Sequence, residues 1–331
     1  MNALPSNLTD TPESLLKRRV PVTPAASFGI VLGLSGLANA WRAAEALWGF
    51  PLWPSQIIGL FSIFIWFLLL VSYVLKWIFS RAKAIEELSH PVQCCFVGLI
   101  GVSTMLVGAL ALPYSTLSAN LLFWSGACWT VAFAVWRTGA LWTGGREPTT
   151  TTAVLYLPTV AGSYVLGIVG ATLGYVDIAQ LAFGAGFFSW IAIESVLLNR
   201  LLTAPTLAEP LRPTIGIQLA PPAVGSGAYL SATTGTPDML AHAMLGYALL
   251  QSLLILRTLP WVMKLPFTAA YWAYSFGLTA LATAIIRMVD RGDTGIVASL
   301  ALPVFILVNA AIALLVILSL TAAARGKLFP Q

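Results

Sequence analysis

The sequence is poor in charged residues. Only 9% of its 331 residues are Asp, Glu, Lys or Arg, whereas 58% are hydrophobic. Soluble globular domains carry charge on about a quarter of their residues, so this composition excludes a soluble fold. The chain is therefore predicted to be an all-α integral membrane protein.

Cysteine and histidine are also scarce, with three Cys and two His. Cys94, Cys95 and Cys128 fall in apolar segments, where structural disulfides are not expected. His90 and Cys94 share a helix face at i, i+4, a spacing that a metal site could use. Too few ligands accompany them, and the pattern favours buried small side chains beside an interfacial histidine. We predict no metal and no cofactor.

Catalytic motifs are missing as well. The sequence has no G-x-x-x-x-G-K-[ST] loop, no Ser/His/Asp arrangement and no paired catalytic carboxylates. An ATPase or a membrane hydrolase would need such groups. We therefore predict that the protein is not an enzyme.

What the sequence does contain is long apolar runs, each able to span a bilayer as about 20 helical residues. The transmembrane domain is predicted over 25–322, between a disordered cytoplasmic segment, 1–24, and a cytoplasmic tail, 323–331. Its ten spans are expected near 25–48, 54–79, 91–112, 117–142, 153–174, 177–202, 213–234, 238–263, 267–289 and 295–322.

The placement of basic residues predicts the orientation in the membrane. No cleavable signal peptide is visible, because the first 24 residues lack an apolar core. Every Lys and Arg lies on the side of the two termini except Arg42, Arg287 and Arg291. By the positive-inside rule both termini are cytoplasmic. Topology thus accounts for the formal charge of +5, and no nucleic-acid partner is expected.

The ten segments form a repeat. The odd-numbered segments recur about every 60 residues, which indicates five consecutive helical hairpins. First helices carry small residues, as in "SFGIVLGLSGLANA", whereas second helices are bulky, as in "FSIFIWFLLLVSYVLKWIF". Small residues allow close packing, and Pro158 and Pro221 are expected to kink their inner helices. The pattern favours five inner helices around a central pore, and a closed bundle is the alternative.

The first helices of these hairpins carry almost no ionisable residue. Cation pores typically use acidic rings or carbonyl filters, and proton-coupled carriers keep ionisable groups at membrane depth. Glu194 lies in a second helix, so we expect it to be a buried structural group. An apolar path favours anions that lose water easily.

One large ring stands among small residues in "YWAYSFGLTALATA", 271–284. In a narrow path Phe276 could plug the lumen, with Gly277 leaving the ring room to move. The alternative is a core aromatic packed against a glycine notch.

A series of motifs in this order resembles one known family: "SFGIVLGLSGLANAWR", "SHPV", "STMLVGAL", "LYLPTVAGSY", "FGAGFFSWIAIESVLL", "GIQLAP", "LLILRTLPW" and "YWAYSFGLTALATA". They resemble the tellurite-resistance/dicarboxylate transporter family, which also includes the plant guard-cell slow anion channels. The resemblance runs from about Ala26 to Lys327. It implies five hairpins around a pore, a homotrimer with one pore in each protomer, and a bacterial inner-membrane location.

The resemblance also implies roles for individual residues. The family's phenylalanine gate aligns with Phe276, and its first-helix pore glycine aligns with Gly29. Gly33 and Gly277 are likewise expected to line the pore or to lie beside the gate. The kink prolines align with Pro158 and Pro221. Two positions depart from the family: Gly101 stands where a third-helix proline is common, and Ser195 replaces the proline that follows Glu194.

These features predict a passive anion channel in the lipid bilayer, gated by Phe276 and selective by ease of dehydration. Chloride and nitrate are the expected substrates, with tellurite a further candidate. The alternative is a secondary transporter that exports tellurite or carries C4-dicarboxylates with protons. Such a carrier normally needs charged or broken-helix contacts at the membrane midplane, and no basic cluster for a dianion is evident. A non-conducting scaffold is the third hypothesis.

Overall fold

A computed structural model describes residues 23–326, so the predictions for 1–22 and 327–331 lie outside the described residues. Within the described range the regular secondary structure is helical, without strands. The α-helices are α1 (Phe28–Trp48), α2 (Trp53–Phe79), α3 (Arg81–Ser89), α4 (Leu99–Ala111), α5 (Thr116–Trp142), α6 (Gly162–Thr172), α7 (Val176–Thr203), α8 (Ala220–Ala232), α9 (Met239–Val262), α10 (Ser275–Asp290) and α11 (Ile296–Ala324).

Eight helical segments of the described chain are long and apolar enough to cross a membrane. They include α2, α5, α7, α9 and α11, together with α4, α6 and α10 and the tight turns that precede them. The chain is thus a multi-pass membrane protein. The other two expected spans, 25–48 and 213–234, are less apolar because they are rich in Gly, Ala, Ser and Pro and contain polar residues such as Asn39 and Gln218.

Helices α1, α4, α6, α8 and α10, here called the inner helices, each follow a tighter helical turn. Most of these turns are 3₁₀ segments, and one is a π-helical turn. They are Ala25–Ser27, Gln93–Gly98, Ala153–Leu155 with the π-helical Leu157–Ala161, Glu209–Leu219, and Ala269–Tyr274. Helices α2, α5, α7, α9 and α11, the outer helices, run as continuous α-helix. Irregular backbone at membrane depth is tolerated only where it is buried in protein or lines a cavity, which explains why it is confined to the inner segments.

Each inner helix packs against the outer helix that follows it in the chain. The inner helices also contact one another in a closed cycle: α1 with α4, α4 with α6, α6 with α8, α8 with α10, and α10 with α1. In the segment Gln93–Ala111, 78% of the most apolar window is buried in protein, against 22% in Ile296–Ala324. The outer helices instead expose large apolar side chains such as Phe64, Leu121 and Phe188, as lipid contact requires.

A close backbone contact joins α4 and α5, where Gly101 faces Gly126. A Cβ added at Gly126 would lie 2.7 Å from the carbonyl oxygen of Gly101 and 2.9 Å from the amide nitrogen of Met105. Both neighbours are backbone atoms, which cannot rotate away. Gly101, which stands where a third-helix proline is common among the resembling sequences, lies within α4 and permits close helix packing.

A buried ion pair fixes the start of α1. Lys76 Nζ on α2 lies 2.8 Å from Glu87 Oε2 on α3, with side chains 3% and 8% exposed. Glu87 Oε1 accepts a 2.8 Å hydrogen bond from the backbone N–H of Ala25, and Glu87 Oε2 accepts from Tyr73 at 3.2 Å. A buried charge needs such compensation, and here the compensation connects α2 and α3 to the first turn before α1.

We predict that Gly126→Ala destabilises the protein by about 1–3 kcal/mol, because the added methyl group overpacks the α4–α5 contact. The midpoint of thermal unfolding in detergent measures this. Gly139→Ala is the matched control: it lies on the same helix, and a Cβ there meets nothing within 4 Å. Equal midpoints for the two variants would contradict the packing role of Gly126.

Candidate functional site

A first cavity, of about 110 Å³, lies among the N-terminal parts of the inner helices and the turns before them. We call it the N-side cavity. Its walls include Gly29, Leu99, Val160, Pro221 and Trp272, one from each of the five inner segments. No charged side chain of the described chain lines this cavity, and its surface is mainly apolar.

A second cavity, of about 300 Å³, lies among the C-terminal parts of the same five helices. We call it the C-side cavity. Its walls include Asn39, Leu110, Thr172, Gly227 and Thr283. Because every inner helix contributes its beginning to one cavity and its end to the other, all five run in the same direction. Their positive dipole ends therefore meet at the N-side cavity and their negative ends at the C-side cavity.

Two residues line both cavities: Phe276, near the start of α10, and Val224, in α8. The Phe276 ring packs partly buried against the hydrophobic core, and Val224 is only 2% exposed. These two side chains thus occupy the level at which the cavities meet. Val224 was not predicted from the sequence, because an isolated valine in "LAPPAV" carries no signal that separates it from any other core residue.

The three glycines predicted near the path occupy different environments. Gly29 lines the N-side cavity, and a Cβ there would reach no atom closer than Trp272 Cβ at 4.0 Å. A Cβ at Gly33 would lie 2.3 Å from Ser275 Oγ, so this glycine permits the contact between α1 and α10. A Cβ at Gly277 would lie 3.0 Å from the Ala220 amide nitrogen. Gly277 therefore allows α10 to lie close to α8.

The two predicted kink prolines lie at the beginnings of inner segments. Pro158 is buried in the π-helical turn Leu157–Ala161 that leads into α6. Pro221 is near the first residue of α8, directly after the 3₁₀ segment Glu209–Leu219, and it lines the N-side cavity. Proline is tolerated at a helix start because no backbone N–H is needed there. Pro221 therefore lies where 3₁₀ changes to α-helix, a different position from a kink within a continuous helix.

Glu194, on α7, is buried and its carboxylate oxygens accept four hydrogen bonds. Oε2 accepts from the Tyr156 hydroxyl and, at 2.9 Å, from Trp190 Nε1. Oε1 accepts from the Tyr247 hydroxyl at 2.6 Å and from Gln251 Nε2 at 3.3 Å. Within the described chain no Lys, Arg or His nitrogen lies within ion-pair distance of this carboxylate.

This hydrogen-bond network joins α7 to α9 and to the turn before α6. Only Tyr156 of the group also lines the N-side cavity. Glu194 itself lines neither cavity. Its environment is that of a structural polar group whose hydrogen-bonding capacity is satisfied.

His90 and Cys94, whose spacing a metal site could use, have other surroundings in the structure. His90 Nδ1 accepts hydrogen bonds from the backbone N–H groups of Val92 and Gln93, both at 3.1 Å. Cys94 and Cys95 are fully buried in the core, and Cys128 is exposed on α5. His90 therefore satisfies the backbone at the start of an inner segment.

Of these two cavities, as the described residues line them, the C-side cavity alone has charged groups in its wall: Arg42, Arg287 and Asp290. Sequence reasoning did not assign these residues to a site. A signal was nevertheless present, because Arg42 and Arg287 are two of the three basic residues that depart from the charge asymmetry across the membrane.

Sequence comparison with known proteins finds one matching family and several relatives of this chain. Residues 23–322 match the family described as voltage-dependent anion channel. The chain is 35% identical over 309 residues to a tellurite resistance protein TehA homolog of Haemophilus influenzae, covering 92% of each chain. It is 25% identical to the guard cell S-type anion channel SLAC1 of Arabidopsis thaliana, covering 81% of this chain and 50% of the relative. An uncharacterized transporter of Methanocaldococcus jannaschii is 28% identical, covering 70% and 74%.

We predict that Glu194→Gln lowers the stability by about 1–3 kcal/mol, because an amide NH₂ would replace one acceptor oxygen and leave buried donors unsatisfied. Thermal unfolding of the purified protein measures the loss. Glu86→Gln, at an exposed position on α3, is the matched control and should leave the midpoint unchanged. An unfolding midpoint of Glu194→Gln equal to that of the wild type would argue against a structural role.

Proposed function

Since the chain belongs to the voltage-dependent anion channel family, we propose that it is a passive anion channel whose path runs through the N-side and C-side cavities. Phe276 closes this path at rest. The observation that carries the proposal is that the Phe276 ring lines both cavities. A ring at the boundary of two otherwise separate spaces is where an apolar constriction blocks a hydrated ion.

The same proposal covers the architecture around the path. Helices α1 and α8, with the turns before them, span the membrane in addition to the eight apolar segments. The chain then forms five hairpins with the inner helices around the pore, and three such chains form a homotrimer, as the family resemblance implies. The closed cycle of inner-helix contacts supports the central path.

We further place the protein in the bacterial inner membrane with both termini in the cytoplasm. The distribution of Lys and Arg supports this orientation. With it, the N-side cavity faces the cytoplasm and the C-side cavity faces the opposite side.

Selectivity in this channel follows from electrostatics and dehydration. The N-side cavity receives the positive ends of five inner helices, which favours anions over cations. Its apolar wall offers few hydrogen bonds to replace the water that an ion loses on entry. Loss of that water without compensating hydrogen bonds is costly, so anions that dehydrate easily are favoured. Chloride and nitrate are the proposed substrates, and nitrate passes more easily if dehydration governs the rate.

A secondary transporter is the competing hypothesis, since the names of relatives include tellurite resistance and uncharacterized transporters. A carrier for C4-dicarboxylates or tellurite would need a substrate site at the membrane midplane. The level of Phe276 and Val224 is apolar, which supports a conduction path instead.

We predict that Phe276→Ala produces a large anion-selective current, because replacing the ring by a methyl group opens the constriction without adding charge. Voltage clamp of wild type and variant, with the cation varied, measures it. Phe188→Ala is the matched control, since Phe188 is 73% exposed on the outer surface. Absence of current in folded Phe276→Ala, together with saturable gradient-coupled uptake, would replace the channel by a carrier. Absence of both would favour a scaffold.

We also predict that nitrate is more permeant than chloride in Phe276→Ala. Reversal potentials under bi-ionic conditions give the permeability ratio. A ratio above one follows if anion dehydration dominates the barrier. An order that follows charge density, with chloride ahead of nitrate, would contradict this mechanism.

A further inference from the structure

Two arginines from facing inner helices line the C-side cavity. Arg42 is on α1 and Arg287 is on α10, and these helices pack directly against each other. Both side chains are partly buried. A partly buried charge is costly unless it has a partner or a function, so two arginines at one cavity require an explanation.

Few of their donors are used by the protein. Arg42 Nη1 donates to the Ala109 carbonyl at 3.3 Å, and Arg287 Nη1 donates to Ser231 Oγ at 2.8 Å. A guanidinium carries five N–H donors. In the part of the chain that the structure describes, neither arginine has a carboxylate within 4.0 Å, although Asp290 lines the same cavity.

Arg291, one turn after Arg287, shows what a purely structural arginine looks like here. It donates to the carbonyl oxygens of Gly235 at 2.7 Å and Leu230 at 2.9 Å. These hydrogen bonds satisfy backbone carbonyl oxygens at the end of α8 and in the loop after it. Arg291 does not line either cavity, and its charge serves backbone capping through two carbonyl contacts. Arg42 makes one longer contact of this kind, to the Ala109 carbonyl, and Arg287 makes none, whereas both line the C-side cavity.

The electrostatic setting explains why positive charge is useful in this cavity. The inner helices end here, and their negative dipole ends repel an anion. Two guanidinium groups against the single carboxylate of Asp290 add a net positive charge to the cavity wall, which opposes the negative helix ends. An anion leaving the level of Phe276 then meets donors in place of a repulsive wall.

We propose that Arg42 and Arg287 form an anion-binding site specific for small oxyanions in the C-side cavity. The planar forks of guanidinium groups match anions that present two oxygen atoms, and a halide cannot accept such a pair on separate atoms. Nitrate is the probe of this class. The inference deepens the proposed channel function and rests on it for the route that the ion takes. The binding site itself is testable without any current.

The test measures the unfolding temperature of the purified full-length protein in detergent during titration with sodium nitrate or sodium bromide at the same ionic strengths. A ligand that binds only the folded state raises this temperature in a saturable way. For wild type we expect half of the maximal shift at a lower concentration of nitrate than of bromide. Arg42→Gln and Arg287→Gln should each raise the half-saturating nitrate concentration by about fivefold or more, because a charge-assisted contact is lost.

Three further variants separate the effect of charge from that of geometry and from general salt effects. Arg42→Lys and Arg287→Lys keep the charge, so they should still bind anions but lose the preference for nitrate over bromide. Their unfolding temperature without salt also reports whether the position tolerates substitution. Arg291→Gln removes a charge from the same helix end outside the cavity, and its nitrate titration should match that of wild type.

The proposal is overturned if wild type shows no saturable nitrate effect, or if the Gln variants give the same nitrate titration as wild type. A failed channel gives a different pattern. In that case Phe276→Ala passes no current while nitrate binding is still lost in the Gln variants. The reverse pattern, current without arginine-dependent binding, removes the site and leaves the channel.

Discussion

Close contact between small residues of neighbouring helices is the constraint on which this structure depends. Inside a bilayer the hydrophobic effect does not drive helix association, so packing and hydrogen bonding must do so. At Gly126 the backbone of α4 approaches α5 closely, and at Gly33 the side chain of Ser275 occupies the space a Cβ would need. The first contact holds outer helix α5 against inner helix α4, and the second holds inner helices α1 and α10 together around the cavities. The bulky outer helices face the lipid.

Charged residues are scarce in this chain, and the buried or partly buried ones described above have distinct roles. Lys76 and Glu87 form a pair that fixes the beginning of α1. The carboxylate of Glu194 is satisfied by hydroxyl, indole and amide groups that connect α7 to its neighbours. Arg42 and Arg287 stand apart because they line a cavity and have no carboxylate of the described chain within ion-pair distance. Because burying a charge is costly, each of these groups needs partners: other protein groups for Lys76, Glu87 and Glu194, and a proposed anionic ligand for the two arginines.

The parallel direction of the five inner helices gives the two cavities opposite character. Helix beginnings supply positive potential to the N-side cavity without any charged side chain. Helix ends supply negative potential to the C-side cavity, where the two arginines counter it. Phe276 and Val224 lie between these regions. In the proposed channel, charged side chains are therefore needed at one end of the path only.

The sequence by itself determined the membrane class, the alternation of small-residue and bulky helices, the family, and Phe276 as the ring to examine. Hydropathy, periodicity and ordered motifs are local signals, and they suffice for these conclusions. Only the tertiary structure decided that Val224 shares the level of Phe276, that Gly277 packs against α8, and that the ends of α1 and α10 bring Arg42 and Arg287 to one cavity. Those facts depend on which face each helix turns inward and on contacts between residues distant in sequence, which no local pattern records.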